Sequence, residues 1–422
     1  MENCRITKNG VKIYTYKNDR SHGFFISLFV KAGSMYESAE ENGITHFLEH
    51  IAIRNVNAVR GGRLYALLDE HGIDFNASTY SEMVQFFVSG AEKNFSVGAS
   101  VITDVLSPIT LPTAELEAER RRIRAEIRES DDKTSLLSFS NGFVFEGTSL
   151  SRPIAGTSGT ISGMSRKRLE EYRRRTLTAE NIFFYVTGSF TDRDIDTLAS
   201  LIERHELVSA PERKNVAPVP RNFLKRTPEV HIKNADFTRV RFSFDLDMSR
   251  VSVPESDLIY DILLSGFDSR FFIEMSEKKG LFYDLSGVVE RYLNIGELAF
   301  TYELKAASLY EAIDTTVDIL NDYKASVLPN SKCMKAGYVD NAYMLFDDIR
   351  ELNFTFAYDN HIMDIGYPDI SNRKNVYESV SPERLMELFS EIFKLENLTI
   401  AIKGDKKKID TERILSSLRR LG

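Results

Sequence analysis

The chain has few cysteines and no long apolar run. Its two cysteines, Cys4 and Cys333, exclude a disulfide framework and favour a reducing compartment. Because no run of about 18 apolar residues occurs, we expect no membrane-spanning helix. Residues 1–16 show neither the apolar core of a signal peptide nor the Arg- and Ser-rich character of a transit peptide. These absences predict a cytoplasmic protein without a membrane partner.

An excess of basic charge is also lacking. The 54 Lys and Arg residues are intermixed with 62 Asp and Glu residues, which gives a net charge of −8. A nucleic-acid-binding protein usually carries a basic face or stripe, so we predict no nucleic-acid partner. The apolar content of 42% is sufficient for a packed globular protein. A chain of 422 residues exceeds the usual size of one core, so two or three domains are expected.

The few prolines are unevenly distributed, because four of the 11 lie within residues 211–228. Such a Pro-rich, charged segment is typical of an exposed spacer between domains. A weak repeat at an offset of 216 residues (381 − 165 = 216) relates its two sides, pairing Ser165, Asn181 and Gly188 with Ser381, Asn397 and Gly404. In both copies a Ser precedes a helix and an apolar strand ends at Gly. We therefore predict two homologous α+β domains, 1–210 and 229–422, joined by the linker 211–228.

Two of the seven histidines stand four residues apart in the motif His46-x-x-Glu49-His50. Residues 43–55 have helical apolar spacing, and positions four apart lie on one face of a helix. Two imidazoles on one face provide two ligands of a zinc site, and Glu49 beside them is a candidate to accept a proton from an activated water. The alternative is a pair of unrelated histidines and an exposed glutamate on a half-buried helix.

A zinc site of this kind requires a third protein ligand. Residues 111–129 predict a second helix, in which Glu119 and Glu126 are seven residues apart and share a face with the apolar stripe. A carboxylate on the buried side of a helix needs a partner or a metal. For Glu126 the alternative is one more acidic residue on a charged helix. For Glu119 it is a salt bridge with a nearby arginine.

The motif and its flanks resemble those of the inverted zincins, the pitrilysin/insulinase metallopeptidases. Beyond His-x-x-Glu-His, the resemblance rests on Glu126, which follows His50 by 76 residues (126 − 50 = 76), and on the segments 32–46, 75–79 and 280–283. The sequence is most similar to the two-domain branch that includes mitochondrial processing peptidase and bacterial relatives. This resemblance implies two domains in which helices pack on one face of a largely antiparallel sheet.

The same resemblance implies roles for the motif residues. One zinc ion (Zn2+) per chain would be bound by His46, His50 and Glu126. Glu49 would act as the general base in peptide hydrolysis, and Glu119 would support a ligating histidine from behind. Two His and a carboxylate most often hold zinc, although manganese and cobalt remain alternatives.

The resemblance also implies where a peptide substrate binds. Residues 74–80 would form an edge strand, and Asn76 and Ala77 would pair with an extended peptide. An ordinary edge strand is the alternative. In the second domain Tyr283 would contact the substrate, unless it is a core tyrosine. The family usually has an Arg seven residues before this Tyr, but here the residue is Ser276.

Only one metal site per chain is expected, because the motif positions correspond to Ile262, Ser265 and Gly266 in the second copy. The family encloses its substrate in a chamber of four domains, and this chain has two. We therefore expect a homodimer or a heterodimer with a related chain, and Ser276 suggests that a partner chain completes the substrate site. The leading prediction is a zinc endopeptidase for short or unfolded peptides in a dimeric chamber. The alternative is a scaffold or partner subunit with little activity alone.

Overall fold

The computed structural model describes residues 2–131, 136–208, 229–282, 284–292, 294–325, 336–337, 340, 344, 347–365 and 370–422. The chain divides into two compact units: unit 1 comprises Met1–Asp131, Arg152–Val216 and Tyr343–Ile370, and unit 2 comprises Asp132–Ser151, Ala217–Ala342 and Ser371–Gly422. Each unit therefore includes a segment from the other half of the sequence. The predicted linker 211–228 lies outside the described residues, so the division into 1–210 and 229–422 stays a prediction.

The described chain contains both strands and helices, which follow one another in groups. The strands are β1 (Asn3–Ile6), β2 (Lys12–Lys17), β3 (Gly23–Val30), β4 (Asp74–Thr79), β5 (Val84–Ala91), β6 (Ile182–Gly188), β7 (Glu229–Asn234), β8 (Thr238–Asp247), β9 (Asp284–Arg291), β10 (Ile295–Leu304) and β11 (Leu398–Gly404). The α-helices are α1 (Ile44–Val59), α2 (Leu64–His71), α3 (Phe95–Thr103), α4 (Thr113–Asp131), α5 (Leu136–Val144), α6 (Ser158–Gly163), α7 (Arg166–Thr176), α8 (Asp192–Ile202), α9 (Val253–Leu264), α10 (Leu309–Ala325), α11 (Ile349–Ala357), α12 (Ile370–Ser379), α13 (Pro382–Ile392) and α14 (Thr411–Leu418). Two π-helices span Phe271–Glu277 and Tyr358–Ile362. Within these described elements, no helix combines the length and apolar content that a bilayer crossing requires.

The sheet of unit 1 has six strands in the order β1-β2-β6-β3-β5-β4. β2 and β6 pair in parallel, and the other neighbours are antiparallel. The central strands β3 and β6 are almost continuously apolar because both faces of the sheet are covered. On one face, residues such as Phe24 pack with α3 and α8. On the opposite face, Phe29 and Phe183 pack with Leu352 and Phe356 of α11.

A buried amide fixes α11 on this sheet. Asn353 is fully buried, and its side-chain nitrogen donates to the carbonyl oxygen of Tyr185 at 2.9 Å. Its side-chain oxygen accepts from the Ser27 hydroxyl at 2.6 Å. Because a buried amide without partners is costly, these bonds favour one position of α11 along the sheet.

The sheet of unit 2 has five strands in the order β7-β11-β8-β10-β9. β11 pairs in parallel with β7 and antiparallel with β8, which repeats the arrangement of β6 with β2 and β3. One face, including Phe242 and Phe300, packs with α9, α10 and α13. On the other face the ring of Phe143 in α5 stacks on His231, with 3.5 Å between ring centroids. The predicted α+β class, with two largely antiparallel sheets and packed helices, is confirmed. The helices cover both faces of each sheet and not one face as expected, because α11 packs on the second face in unit 1 and α5 does so in unit 2.

Candidate metal centre

Helix α1 carries the motif, and a buried carboxylate fixes its start. Glu37 accepts hydrogen bonds from the backbone N–H groups of Gly43 at 2.7 Å and Thr45 at 2.9 Å. A helix N-terminus leaves such donors without partners inside the helix, and the helix dipole favours negative charge there. Gly43 has a φ of 91°, and a Cβ at this position would lie 2.6 Å from the carbonyl oxygen of Ala155. The first turn of α1 is therefore held closely against the chain around Ala155.

The apolar side of α1 determines where the two histidines lie. Phe47 and Ile51 of α1 are fully buried and belong to one cluster with Leu116 and Ile123 of α4. The two helices thus pack along their apolar stripes, as the spacing of each sequence predicts. His46 and His50, one turn apart, flank this contact and reach toward α4.

Both imidazoles meet the carboxylate of Glu126. Nε2 of His46 lies 3.4 Å from Glu126 Oε1, and Nε2 of His50 lies 3.6 Å from Glu126 Oε2. One ligand atom from each of the three residues lies within 4.8 Å of the other two. Among the residues that the structure describes, this is the one group of three or more His, Cys, Asp or Glu side chains so arranged.

The surroundings of His46 fit a bound cation. Its Nε2 is buried and makes no hydrogen bond to any residue that the structure describes, although Glu126 is close. Burial opposes the charged imidazolium, but the nearby carboxylates of Glu126 and Glu49 outweigh it and raise the pKa of His46 to about 9. The site thus favours positive charge at this point, which a divalent cation bound to neutral imidazole can supply in place of the proton. Two imidazole nitrogens and one carboxylate oxygen match the donor set of a catalytic zinc site with an open position.

Glu119 lies behind His50 and sets its tautomer. The side chain of Glu119 is buried, its Oε2 lies 3.2 Å from His50 Nδ1, and its Oε1 accepts from Arg54 Nε at 2.6 Å. Burial alone would raise the pKa of Glu119, but the hydrogen bonds from His50 and Arg54 outweigh it and lower the pKa overall. An ionised Glu119 accepts a hydrogen bond from Nδ1–H of His50, which leaves the lone pair on Nε2, the atom that faces Glu126.

Glu49 lies between His46 and the edge of the sheet. The residue is 8% exposed, and its Oε2 accepts a hydrogen bond from the Thr79 hydroxyl at 2.9 Å. The same oxygen lies 3.5 Å from His46 Nδ1. Thr79 is the last residue of β4, which pairs with β5 and is the outermost strand of the sheet in the part of the chain that the structure describes. The candidate base is therefore attached to the edge strand by a hydrogen bond.

The edge strand itself contains two predicted substrate-binding residues. Asn76 is exposed and Ala77 is half-buried. The side-chain oxygen of Asn76 accepts a hydrogen bond from the backbone N–H of Ala77 at 2.9 Å. Among the described residues, the Ala77 N–H therefore points away from β5 and is paired with its neighbour's side chain.

On α4, the side chains of Glu119 and Glu126 differ in burial. The sequence predicts that Glu119 and Glu126 share the buried face, but the Glu119 side chain is 3% exposed and the Glu126 side chain is 48% exposed. The predicted burial is therefore wrong for Glu126. Seven residues do not complete two whole turns of 3.6, so the second side chain is rotated by about 20° from the first. Glu126 consequently lies at the rim, where it meets both histidines.

Some site residues were missed, and one lies outside the described part of the chain. Arg54 follows His50 by four residues, so its position on the histidine face was readable from the sequence. The contact of Thr79 with Glu49 joins a strand and a helix 30 residues apart and has no local signal. Tyr283 lies outside the described residues. Ser276, which stands where the family has an Arg, lies in the π-helix Phe271–Glu277.

Comparison with known families identifies the class of protein that has this fold and site. Residues 12–158 match the family described as insulinase, peptidase family M16. Residues 163–331 match the peptidase M16 inactive domain. The chain therefore belongs to peptidase family M16.

Individual relatives agree with this assignment. An uncharacterized zinc protease of Rickettsia felis is 26% identical over 328 residues, which cover 75% of this chain and 78% of that protein. The mitochondrial-processing peptidase subunit beta of Lentinula edodes is 27% identical over 222 residues, covering 52% of this chain and 47% of that subunit. A solved protease structure from Helicobacter pylori superimposes with a TM-score of 0.83 at 16% identity, covering 96% of this chain and 99% of that chain. This last likeness shows a shared fold.

Proposed function

We propose that the chain is a zinc-dependent endopeptidase that hydrolyses short or unfolded peptides. One zinc ion per chain would be held by His46, His50 and Glu126. The observation that carries the proposal is the convergence of these three side chains from α1 and α4, with their ligand atoms within 4.8 Å of one another. Membership of peptidase family M16 and relatives named as zinc proteases support the same chemistry.

Each residue of the site has a distinct part in this proposal. Zinc bound by the three ligands would supply Lewis acidity, polarising a peptide carbonyl and making a water more acidic. Glu49 accepts the proton of the attacking water and then gives it to the departing amine. Glu119 keeps His50 in the tautomer that can bind a cation through Nε2. Because Glu49 is almost fully buried, its own carboxylate is largely screened from bulk water.

The substrate would bind as an additional strand along the open side of β4. The backbone of Ala77 would pair with the peptide and the Asn76 side chain would lie beside it, so that binding depends on an extended backbone more than on side-chain identity. A folded protein does not offer such a free strand, which favours short or unfolded peptides. Tyr283 stays a predicted substrate contact.

We further propose that two chains, identical or related, form the enclosing chamber. Ser276 replaces the Arg that the family usually provides for substrate contact, so a second chain would supply the missing group. A relative named as a subunit of mitochondrial processing peptidase supports pairing with a related chain. The second candidate function, a partner subunit with little activity alone, is favoured by the same Ser276.

The cytoplasmic location also stays a proposal. Its support is the small number of cysteines, two in 422 residues, of which Cys4 is a free and exposed thiol. An exposed free thiol is stable against oxidation in a reducing compartment.

The central experiment is cleavage of a quenched fluorescent peptide library by the purified chain, with and without a chelator. We expect cleavage that the chelator abolishes and added zinc restores. Glu49→Gln should bind one equivalent of zinc and cleave at least 100-fold more slowly, because a carboxamide cannot accept the proton. The matched control is Glu70→Gln, on the exposed side of α2.

The outcomes separate the two candidate functions. Chelator-sensitive cleavage by the chain alone, with a dimer measured by light scattering, supports the endopeptidase. Zinc binding without cleavage supports the partner subunit and directs the search to a related chain. Near wild-type cleavage by Glu49→Gln would refute the assignment of the base.

A further inference from the structure

Thr79 connects the candidate base to the strand that would bind the substrate. We propose that Thr79 is a positioning residue, which orients the Glu49 carboxylate and couples this orientation to peptide pairing along β4. The inference rests on the proposed peptidase function, since it assigns a role within that same site. Thr79 lies outside the His-x-x-Glu-His motif and outside the proposed ligand set.

The direction of the Thr79 side chain follows from its place in the strand. Side chains alternate between the two faces of a strand, so Phe75, Ala77 and Thr79 share one face. Phe75 and Ala77 pack against the core of unit 1. Thr79 continues this face to the end of β4, where its hydroxyl meets Oε2 of Glu49 at 2.9 Å.

Water competes little for this hydrogen bond, and Nδ1 of His46 lies farther from the same oxygen, at 3.5 Å. Glu49 is 8% exposed, so bulk water has little access to its carboxylate. A hydroxyl that donates to a carboxylate forms a charge-assisted bond, which restricts the rotation of the carboxylate plane. With Oε2 held by Thr79, the carboxylate keeps one orientation relative to the two histidines.

The coupling arises because, among the described residues, β4 is paired on one side. Its hydrogen-bonded neighbour is β5, and β4 is the outermost strand of the sheet. An extended peptide that adds to the open side would restrain the strand, and therefore also the Thr79 hydroxyl at its end. Peptides long enough to pair with Asn76 and Ala77 should thus be turned over faster than peptides that reach only the metal.

The test compares variants of Thr79 in the full-length protein. Thr79→Val removes the donor and retains the shape and the β-branched character of the side chain. We expect kcat for long peptides to fall about tenfold or more, with KM within twofold and zinc content unchanged. Thr79→Ser retains the hydroxyl and should restore kcat. Thr103→Val is the matched control, because Thr103 donates to the carbonyl oxygen of Ala99 within its own helix.

A second measurement uses a series of substrates of increasing length. In the wild type, kcat should rise as the peptide becomes long enough to pair along β4. In Thr79→Val this dependence on length should largely disappear, whereas a purely structural defect would lower kcat for all lengths equally.

The possible results distinguish this inference from the function on which it rests. If Thr79→Val matches the wild type while Glu49→Gln is inactive, the positioning role is refuted and the peptidase proposal stands. If Glu49→Gln is active, the peptidase proposal itself fails. If Thr79→Ser is as slow as Thr79→Val, the hydroxyl is not the relevant group and the inference is overturned.

Discussion

Replacing Glu119 with glutamine should weaken zinc binding while leaving all three proposed ligands in place. The Glu119 carboxylate accepts hydrogen bonds from both His50 Nδ1 and Arg54 Nε. A carboxamide has one oxygen, so it can accept only one of these bonds well. If the oxygen turns to Arg54, the amide nitrogen faces His50 and donates to Nδ1. The imidazole proton then moves to Nε2, the atom that would bind the metal.

The expected loss follows from the role of such supporting carboxylates. Removing a hydrogen-bonding partner from a metal-bound histidine typically lowers metal affinity by about 10- to 100-fold. This range corresponds to about 1.4–2.7 kcal/mol of binding free energy. Burial favours the upper part of the range, because the Glu119 side chain is only 3% exposed and water cannot readily replace the lost acceptor.

Competition with a chromophoric chelator measures this change directly as a zinc Kd. The matched control is Glu117→Gln, on the same helix, where Glu117 is 45% exposed and pairs with Arg120. The control should bind zinc like the wild type. A zinc Kd for Glu119→Gln within twofold of the wild-type value, in a protein of unchanged thermal stability, would refute the reasoning.

Two further predictions address the ligands and the start of α1. His50→Ala should lose tightly bound zinc and all cleavage, whereas His71→Ala on α2 should retain both; one equivalent of zinc in His50→Ala, measured by mass spectrometry, would contradict the ligand assignment. Gly43→Ala should destabilise the protein by about 2 kcal/mol or more in chemical denaturation, because of its positive φ and its contact with Ala155. The control is Gly142→Ala inside α5, where an added Cβ has no described neighbour within 4 Å, so this change should be neutral or stabilising. Equal effects of the two glycine changes would argue against backbone strain at Gly43.

The helices of the site were predictable because their information is local. The apolar spacing predicts a helix over residues 43–55, and the structure has Ile44–Val59. The second helix, predicted over 111–129, is observed at Thr113–Asp131. Both patterns carry a single period of 3.6 residues, which fixes the face that turns inward. When these two faces pack together, the two histidines of α1 come close to Glu126 of α4.

Contacts between distant segments were not predictable in the same way. The buried charge of Glu37 at the start of α1 gives no periodic signal, because it depends on a turn that brings it back to Gly43 and Thr45. Helices α5 and α11 each pack on a sheet whose strands lie far away in the sequence, and apolar spacing within a helix does not identify that sheet. The assignment of α5 to unit 2 and α11 to unit 1 therefore emerges only from the three-dimensional structure.

The assignment of α11 to unit 1 has a consequence for synthesis on the ribosome. The last strand of that unit's sheet, β6, ends at Gly188, and α11 begins 161 residues later at Ile349 (349 − 188 = 161). During this interval the aromatic face formed by Phe29 and Phe183 has no cover from α11. A nascent chain in this state exposes apolar surface and is a candidate for chaperone binding or aggregation. For the same reason, a fragment ending at residue 210 would retain this exposed face. Expression of the first half alone should therefore yield an aggregation-prone protein.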